Sequence, residues 1–395
     1  MNIDERYLMR VAHIITRLIL GGAQENTLYS VDDQHHLHGD QVCLITGPGL
    51  GPEGTLIPRA MARELDVRVL QDLHRSLSPA KDMRALRAII RQLKEFAPDV
   101  VHTHSSKAGI LGRYAAHRLG IPAVHTIHGA SFHYGQPAVL HWCYRQAERM
   151  AARWCQRFIS VCDAMSNQYV QAGIASADKF TTIYSGMETQ NFLNSTRDPL
   201  EFRRELGLHP EHVVVTKVAR LFHLKGHEYL LDAAPAIVNA VPNVRFVLVG
   251  DGVLRDEFQQ RIRGMGLDQH FIFTGLISPE DVGSYIHASD MVVHTSVWEG
   301  LARVLPQGSL AGKPIISFDN DGAPEVCIHE QTGLLVPVRN TKKLEEAVIR
   351  LASDPALRIR LGQNGRTHCS TRFCHRHMTE QIRLVYEEVL RSAVR

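Results

Sequence analysis

The chain has 395 residues, too many for one ordinary hydrophobic core, so two domains are expected. Its composition, 44% hydrophobic and 22% charged, is that of a globular protein, and a net charge of +3 excludes the basic footprint of a nucleic-acid binder. The seven cysteines (43, 143, 155, 162, 327, 369 and 374) form no Cys-x-x-Cys pair and mostly sit in apolar segments, so they read as buried thiols of a reducing cytosol. No apolar run approaches the roughly 20 residues of a membrane span. The segment 1–10 is too polar for a signal peptide's core, and the expected location is the cytoplasm.

In chain order, short β-branched runs at 11–16, 41–46, 67–70, 99–104, 123–128, 158–162 and 181–184 predict seven strands, with helix-length stretches such as 79–96 and 137–156 between them. The second half repeats the scheme with runs at 213–219, 244–250, 271–275, 291–295, 314–318 and 333–336. Strands that are apolar throughout and alternate with helices predict parallel sheets covered on both faces. The polar stretch 186–199 marks the change-over, giving domains at 1–187 and 188–372 and a terminal helix at 373–395 that packs back on the first domain. The fold class is thus α/β, two facing doubly wound domains, whose ligands sit at the carboxyl ends of the strands.

Several stretches carry chemistry. Ser296-Val297-Trp298-Glu299-Gly300-Leu301-Ala302-Arg303-Val304-Leu305-Pro306-Gln307 follows the run 291–294 and opens a helical pattern over 302–310. A carboxylate on a Gly-containing turn, before a helix N-terminus, suits a polyhydroxyl ligand carrying phosphate: the carboxylate accepts from hydroxyls, and free helix amides receive negative charge. Upstream, Val215-Thr216-Lys217-Val218-Ala219-Arg220-Leu221-Phe222-His223-Leu224-Lys225-Gly226-His227 places two cations after a strand and before a helix starting near Gly226, where they can hold a diphosphate. Leu248-Val249-Gly250-Asp251-Gly252 ends a strand in a turn that lets backbone approach a ligand. Phe273-Thr274-Gly275-Leu276-Ile277, Gly322-Ala323-Pro324-Glu325-Val326 and Thr332-Gly333-Leu334-Leu335-Val336-Pro337 follow.

In order and spacing these stretches resemble the family-4 retaining glycosyltransferases of GT-B fold. The resemblance extends to the first half through Leu20-Gly21-Gly22-Ala23-Gln24-Glu25, like the family's Gly-Gly-Ala-Glu turn, and through Thr126-Ile127-His128-Gly129. It implies transfer of a hexosyl unit, with retention, from a UDP- or GDP-linked sugar to the hydroxyl of a saccharide or lipid-linked acceptor, in cell-surface polysaccharide, lipopolysaccharide or glycolipid synthesis. No cofactor or metal is implied. By resemblance Arg220 and Lys225 neutralise the leaving diphosphate, Glu299 holds sugar hydroxyls and His128 contacts the transferred sugar. Gly21, Gly22, Gly250, Leu276, Gly300, Leu301, Ala302, Val304 and Gln307 line the donor. Three departures mark a divergent branch: Gln24, the junction Tyr184-Ser185-Gly186-Met187-Glu188, and Gln307, which stands eight residues after Glu299 where the family has a second Glu. Gln keeps one acceptor and loses the charge, so ribose binding should weaken, bonds to charged groups contributing about 1.5–3 kcal/mol against about 1 for neutral ones.

Other patterns compete. Gly49-Leu50-Gly51-Pro52-Glu53-Gly54 matches a dinucleotide fingerprint by letter, but it contains Pro52 and leads into Pro58, so it reads as a loop. Asp319-Asn320-Asp321 resembles a metal-holding Asp-x-Asp and reads as a turn. His102-Thr103-His104, with His125 and His128, leaves open a metal-dependent hydrolase, since imidazole suits zinc and iron. A nucleotide-sugar epimerase and a non-catalytic nucleotide-sugar binder are further alternatives. Finally, Arg145, Arg149, Arg153 and Arg157 recur every four residues, which predicts one charged helix face, partly offset by Glu148, over an apolar stripe of Ala147, Met150, Ala151, Trp154 and Phe158. Such a face could hold the protein weakly on the anionic inner face of the plasma membrane.

Overall fold

A computed structural model describes residues 8–49, 54–132 and 135–393. The Gly-rich stretch around Leu50-Gly51-Pro52-Glu53 and the start of the chain, Met1 to Tyr7, lie outside the described residues. The chain divides into two compact units, Met1–Met187 with Cys374–Arg395, and Glu188–Phe373.

The first unit carries β1 (Arg10–Ile15), β2 (Gln41–Thr46), β3 (Asp66–Val69), β4 (Val100–His104), β5 (Ala123–Ile127), β6 (Arg157–Ser160) and β7 (Phe180–Thr182). They form one parallel sheet in the order β3-β2-β1-β4-β5-β6-β7. Every residue of β4 and β5 is buried, as expected of central parallel strands covered by helices on both faces. The helix Pro79–Phe96 shows how the cover is built. Pro79 occupies its first turn, Ala85, Ile89, Leu93 and Phe96 recur on one buried face, and Ala97 ends it in the left-handed conformation. The last helix, His375–Ala393, packs Met378, Ile382, Val385, Tyr386 and Val389 against Met9, Val11, Val100, Val124 and Ile159 of this sheet. Each such side chain gains about 1.5–3 kcal/mol from burial before entropy is counted. Arg383 adds a buried pair of hydrogen bonds to Asp40, at 2.8 and 3.1 Å.

The second unit carries β8 (Val213–Val218), β9 (Val244–Val249), β10 (Phe271–Gly275), β11 (Met291–His294), β12 (Ile315–Phe318) and β13 (Gly333–Val336). Its sheet is also parallel, in the order β10-β9-β8-β11-β12-β13. In each unit the chain works outward from its first strand and then returns to that strand's other side. The order therefore reverses between β1 and β4 in one unit and between β8 and β11 in the other, and the carboxyl ends of those strands are where such sheets bind ligands.

The predicted helix over 137–156 is shorter than expected. It runs Ala138–Ala152 and ends in a turn, with Trp154 and Cys155 donating back to the Ala151 and Ala152 carbonyls before β6 begins at Arg157.

Candidate functional site

In the second unit, β8 runs into a turn that carries Arg220 and Lys225. This turn is pinned to the Gly250-Asp251-Gly252 turn after β9: Ala219 donates to the Val249 carbonyl at 3.0 Å, and Leu221 to that of Asp251 at 2.9 Å. The approach is too close for a side chain at position 250, since a Cβ there would lie 2.3 Å from the Ala219 carbonyl oxygen at a φ of +134°. Arg220 is exposed, with its guanidinium 5.8 Å from the centre of the Phe222 ring. Leu224 and Gly226 both have positive φ, which curls the chain back into the helix His227–Ala240. A Cβ on Gly226 would meet the Thr295 carbonyl oxygen at 1.8 Å.

Val297, just past β11, donates to the Leu224 carbonyl at 2.9 Å, so the two turns that bear the charged groups are tied by backbone. Lys225 Nζ and a Glu299 carboxylate oxygen form an ion pair, with side chains 23% and 25% exposed. Asp321 braces Glu299 from below: its carboxylate accepts from the Glu299 amide at 2.8 Å and from Asn320 Nδ2 at 3.1 Å, while Gly322 donates to the Gly300 carbonyl at 3.0 Å. Burial raises the Asp321 carboxyl above its ordinary range, and the Glu299 amide works against that shift. Asp319-Asn320-Asp321 is thus a turn whose last carboxylate serves the backbone.

Beneath the pair lies Lys217, buried on β8. Its Nζ donates to Thr295 Oγ1 at 2.8 Å, and Thr295 Oγ1 donates to the Gly226 carbonyl at 2.6 Å. Burial, then the neighbouring Lys225, pulls the Lys217 ammonium from 10.5 down to about 7. Neither Lys217 nor Asp321 entered the sequence reading of the site. The signal for Lys217 was a lone charge in an otherwise uncharged strand of valines and Thr216.

The helix expected over 302–310 starts two residues later, at Val304, because Ala302 and Arg303 still belong to the turn and Leu305 donates to the Ala302 carbonyl. Gly300 and Val304 are buried, Leu301, Ala302 and Gln307 are half-buried, and Leu276, just past β10, is 74% exposed.

In the first unit, Gly21 in extended conformation caps the helix Gly22–His36, and Glu25 donates to its carbonyl at 2.9 Å. Across β1, β4 and β5 five histidines gather, His13 on β1, His102 and His104 on β4, His125 on β5 and His128 just past it. Gln34 Oε1 lies 3.0 Å from His13 Nε2, His13 Nδ1 lies 3.0 Å from His104 Nε2, and His104 Nδ1 lies 3.2 Å from His128 Nε2. His102 stands beside this row, with Nδ1 2.5 Å from the Tyr386 hydroxyl and Nε2 2.7 Å from Thr126 Oγ1. His125 Nδ1 meets Thr103 Oγ1 at 2.9 Å. Burial lowers all five imidazoles, His13 and His128 to about 4 and the others well below 6.5, so the rings are neutral at pH 7. Of these groups, His13, Gln34 and Tyr386 were absent from the sequence reading of the site.

His13, His102 and His104 bring three ring nitrogens within 4.8 Å, enough to test against a metal. The fit is poor. Each of the six ring nitrogens of these residues already has a partner in Gln34, Thr126, Tyr386 or another imidazole, and the group includes no carboxylate. A hydrolase site built on His102 and His104 would have to dismantle this network.

The four-arginine helix face is not formed. Arg145 and Arg149 lie on the helix, but their Nε atoms donate to the Ala172 and Gly173 carbonyls at 2.7 and 3.0 Å. Arg153 sits at the helix end, and Arg157 lies on β6, bonded to the Asp178 carbonyl and paired with Glu388. Glu148 faces inward instead of offsetting the row, in a 2.9 Å ion pair with the buried Arg113. Met150, assigned to the apolar stripe, is exposed. Cys143 is exposed and Cys374 half-buried, whereas the other five cysteines are buried, and all seven are free. Among the described residues no helix is long and apolar enough to cross a membrane.

Comparison with known proteins gives two family matches, "Glycosyl transferases group 1" over residues 199–368 and "Glycosyl transferase 4-like domain" over 22–186. The chain is 27% identical over 357 residues to the UDP-Gal:alpha-D-GlcNAc-diphosphoundecaprenol alpha-1,3-galactosyltransferase of Escherichia coli, covering 89% of this chain and 90% of that one. It is 26% identical to the D-inositol 3-phosphate glycosyltransferase of Saccharomonospora viridis, covering 86% and 82%. Among solved structures, Anabaena HepE in complex with UDP and glucose superposes with a TM-score of 0.82 at 22% identity, covering 96% of this chain and 99% of that one. The sucrose-phosphate synthase of Thermosynechococcus elongatus does so with a TM-score of 0.80 at 18% identity, covering 97% and 100%.

Proposed function

The chain belongs to the family-4 glycosyltransferases of GT-B fold, and on that premise we propose that it transfers a hexosyl unit, with retention, from a UDP-hexose to a hydroxyl of a sugar carried on a lipid diphosphate. The carrying observation is the joint placement of Arg220, Lys225 and Glu299 on two backbone-tied turns, at the carboxyl ends of β8 and β11 where the strand order reverses. The E. coli relative, whose donor is UDP-Gal and whose acceptor is a diphosphoundecaprenol-linked sugar, supports the choice of substrates.

The barrier in such a reaction lies in separating a diphosphate from an oxocarbenium-like sugar. The bond from the anomeric carbon to the diphosphate oxygen breaks, the acceptor oxygen takes its place on the same face, and the acceptor proton goes to the departing phosphate oxygen. Arg220, Lys225 and the amides around Ala302 stabilise the charge that develops on that oxygen, and Glu299 accepts from sugar hydroxyls. Two fixed cations supply the neutralisation a divalent ion would otherwise give, so the scheme needs no metal. Gly250 and Leu276 would lie along the nucleotide, and Gln307 would bind ribose through a neutral amide.

The reaction would run at the cytoplasmic face of the membrane that holds the acceptor. A screen of UDP- and GDP-hexoses for donor hydrolysis, followed by transfer to a short-chain lipid-diphosphate sugar, tests the reading. Turnover of UDP donors with the α-anomer retained is expected. A preference for GDP donors, or an inverted product, would overturn the corresponding part.

A further inference from the structure

The row Gln34–His13–His104–His128 has a polarity, and that polarity decides what His128 can do. A neutral imidazole has one N–H donor and one lone-pair acceptor. Where two neutral rings share a hydrogen bond, one must donate and the other accept, so three rings in series have only two arrangements. In the first, His13 donates from Nε2 to Gln34, His104 from Nε2 to His13, and His128 from Nε2 to His104. In the second every proton sits on the other nitrogen.

Two observations select the first. Gln34 Nε2 points at the Tyr386 hydroxyl, 3.4 Å away, which leaves Oε1 as the group facing His13. Tyr386 can accept that bond and still donate to His102 Nδ1, and His102 Nε2 then donates to Thr126, so the side branch closes without conflict. The second observation is the free end of the row. His128 Nδ1 is out of solvent and has no hydrogen-bond partner among the described residues. In the first arrangement this atom is a bare lone pair. In the second it would be a buried N–H with nothing to bond, the rarer and costlier defect.

We propose that Gln34, His13 and His104 act as positioning residues that hold His128 in the tautomer with the proton on Nε2, so that its Nδ1 offers a fixed lone pair to a hydroxyl of the transferred sugar. The sugar contact rests on the function proposed above; the tautomer does not. The rings of each pair lie close to one plane, His13 and His104 with centroids 5.3 Å apart at 9° and His104 and His128 at 5.4 Å and 28°, as hydrogen bonding between ring nitrogens requires. The consequence is selectivity. An acceptor that cannot become a donor rewards a ligand hydroxyl and leaves a deoxy position unmatched.

The test has two arms. In the full-length protein labelled with ¹⁵N-histidine, with the His128 signals assigned by their loss in His128→Gln, Nδ1 should resonate as an unprotonated nitrogen and Nε2 as a protonated one. The reverse pattern would overturn the proposal whatever the enzyme does. In the second arm, His104→Asn keeps an acceptor oxygen near the Nδ1 position, whereas His104→Phe keeps the ring and loses the acceptor. With both folded, by thermal unfolding, kcat/KM should fall about five- to tenfold more in His104→Phe than in His104→Asn, the loss expected for one hydrogen bond. Equal activity in the two, or better activity with Phe, would show that ring shape is what matters and would overturn the positioning role. Failure of transfer in every assay would count against the proposed function while the tautomer still reads the row.

Discussion

Replacing Lys225 by Ala removes an ammonium that stands both in an ion pair and at the proposed diphosphate, and the two roles have different magnitudes. The pair with Glu299 is about one-quarter exposed on each side, so solvent screens it and its loss should cost at most about 1 kcal/mol of stability. In a unit of this size that is a shift of roughly 2–4 °C in Tm. For the reaction, a unit charge about 6 Å from the leaving phosphate oxygen, at an effective dielectric of about 20, contributes about 3 kcal/mol. Since Glu299 would also be left unneutralised beside the diphosphate, a range of about 2–4 kcal/mol is reasonable, or roughly 30- to 1000-fold in transfer rate. Arg220→Ala should fall in the same range, whereas Lys225→Arg, which keeps the charge, should retain a large part of the activity. Transfer from a labelled UDP-hexose, read beside thermal unfolding of each variant, separates the two effects. Wild-type turnover in folded Lys225→Ala and Arg220→Ala would refute the donor-site assignment.

Transfer should survive EDTA, because the proposed neutralisation comes from side chains; complete loss restored by Mn²⁺, Mg²⁺ or Zn²⁺ would refute that. Lys217 titrates near 7 folded and near 10.5 unfolded, so between those values the unfolded chain holds the extra proton and stability rises with pH. Lys217→Met should therefore stabilise the protein most below pH 7, by on the order of a few kcal/mol, and progressively less toward pH 10; parallel stability curves for the two proteins would contradict the assignment. Gly226→Ala meets both a left-handed φ of +68° and a carbonyl oxygen 1.8 Å from the new Cβ. It should lose more than about 2 kcal/mol in urea unfolding together with transfer activity, and a neutral result would mean the turn is not rigid. In cosedimentation with anionic liposomes, Arg149→Glu/Arg153→Glu should pellet as wild type does, since the four arginines do not share one helix face and Arg145, Arg149 and Arg157 bond to neighbouring carbonyls; salt-sensitive binding lost in the variant would restore the row as a docking surface.

The architecture was legible in the sequence. Among the described residues all 13 strands lie where β-branched, mostly apolar runs predict them, to within two residues at their ends, because strands covered by helices are built mainly from apolar and β-branched side chains. Strand–helix alternation led in the same way to two doubly wound parallel sheets, and the resemblance of the motifs added the GT-B class, which the structure bears out. Local pattern failed where an element ended. The four-residue spacing of Arg145, Arg149, Arg153 and Arg157 is helical by arithmetic, but the helix stops at Ala152 and the last arginine rides on a strand. The start of the helix at Val304 was missed for a similar reason, the turn extending through Ala302 and Arg303.

Within the candidate site, residue types and spacing singled out Arg220, Lys225, Glu299 and His128, whose roles come from resemblance and await the experiments above. Which groups meet was decided only by tertiary structure. Lys225 reaches Glu299 because β8 and β11 become neighbours across a reversal of strand order. Asp321 braces Glu299 from the next strand's turn, and Tyr386 reaches His102 because the last helix returns to the first sheet. Periodicity along a chain reports which side chains are buried, since burial repeats with the local geometry of strand and helix. It carries no information about which strand lies beside which, and a hydrogen bond or ion pair, acting over about 3 Å, depends on that alone.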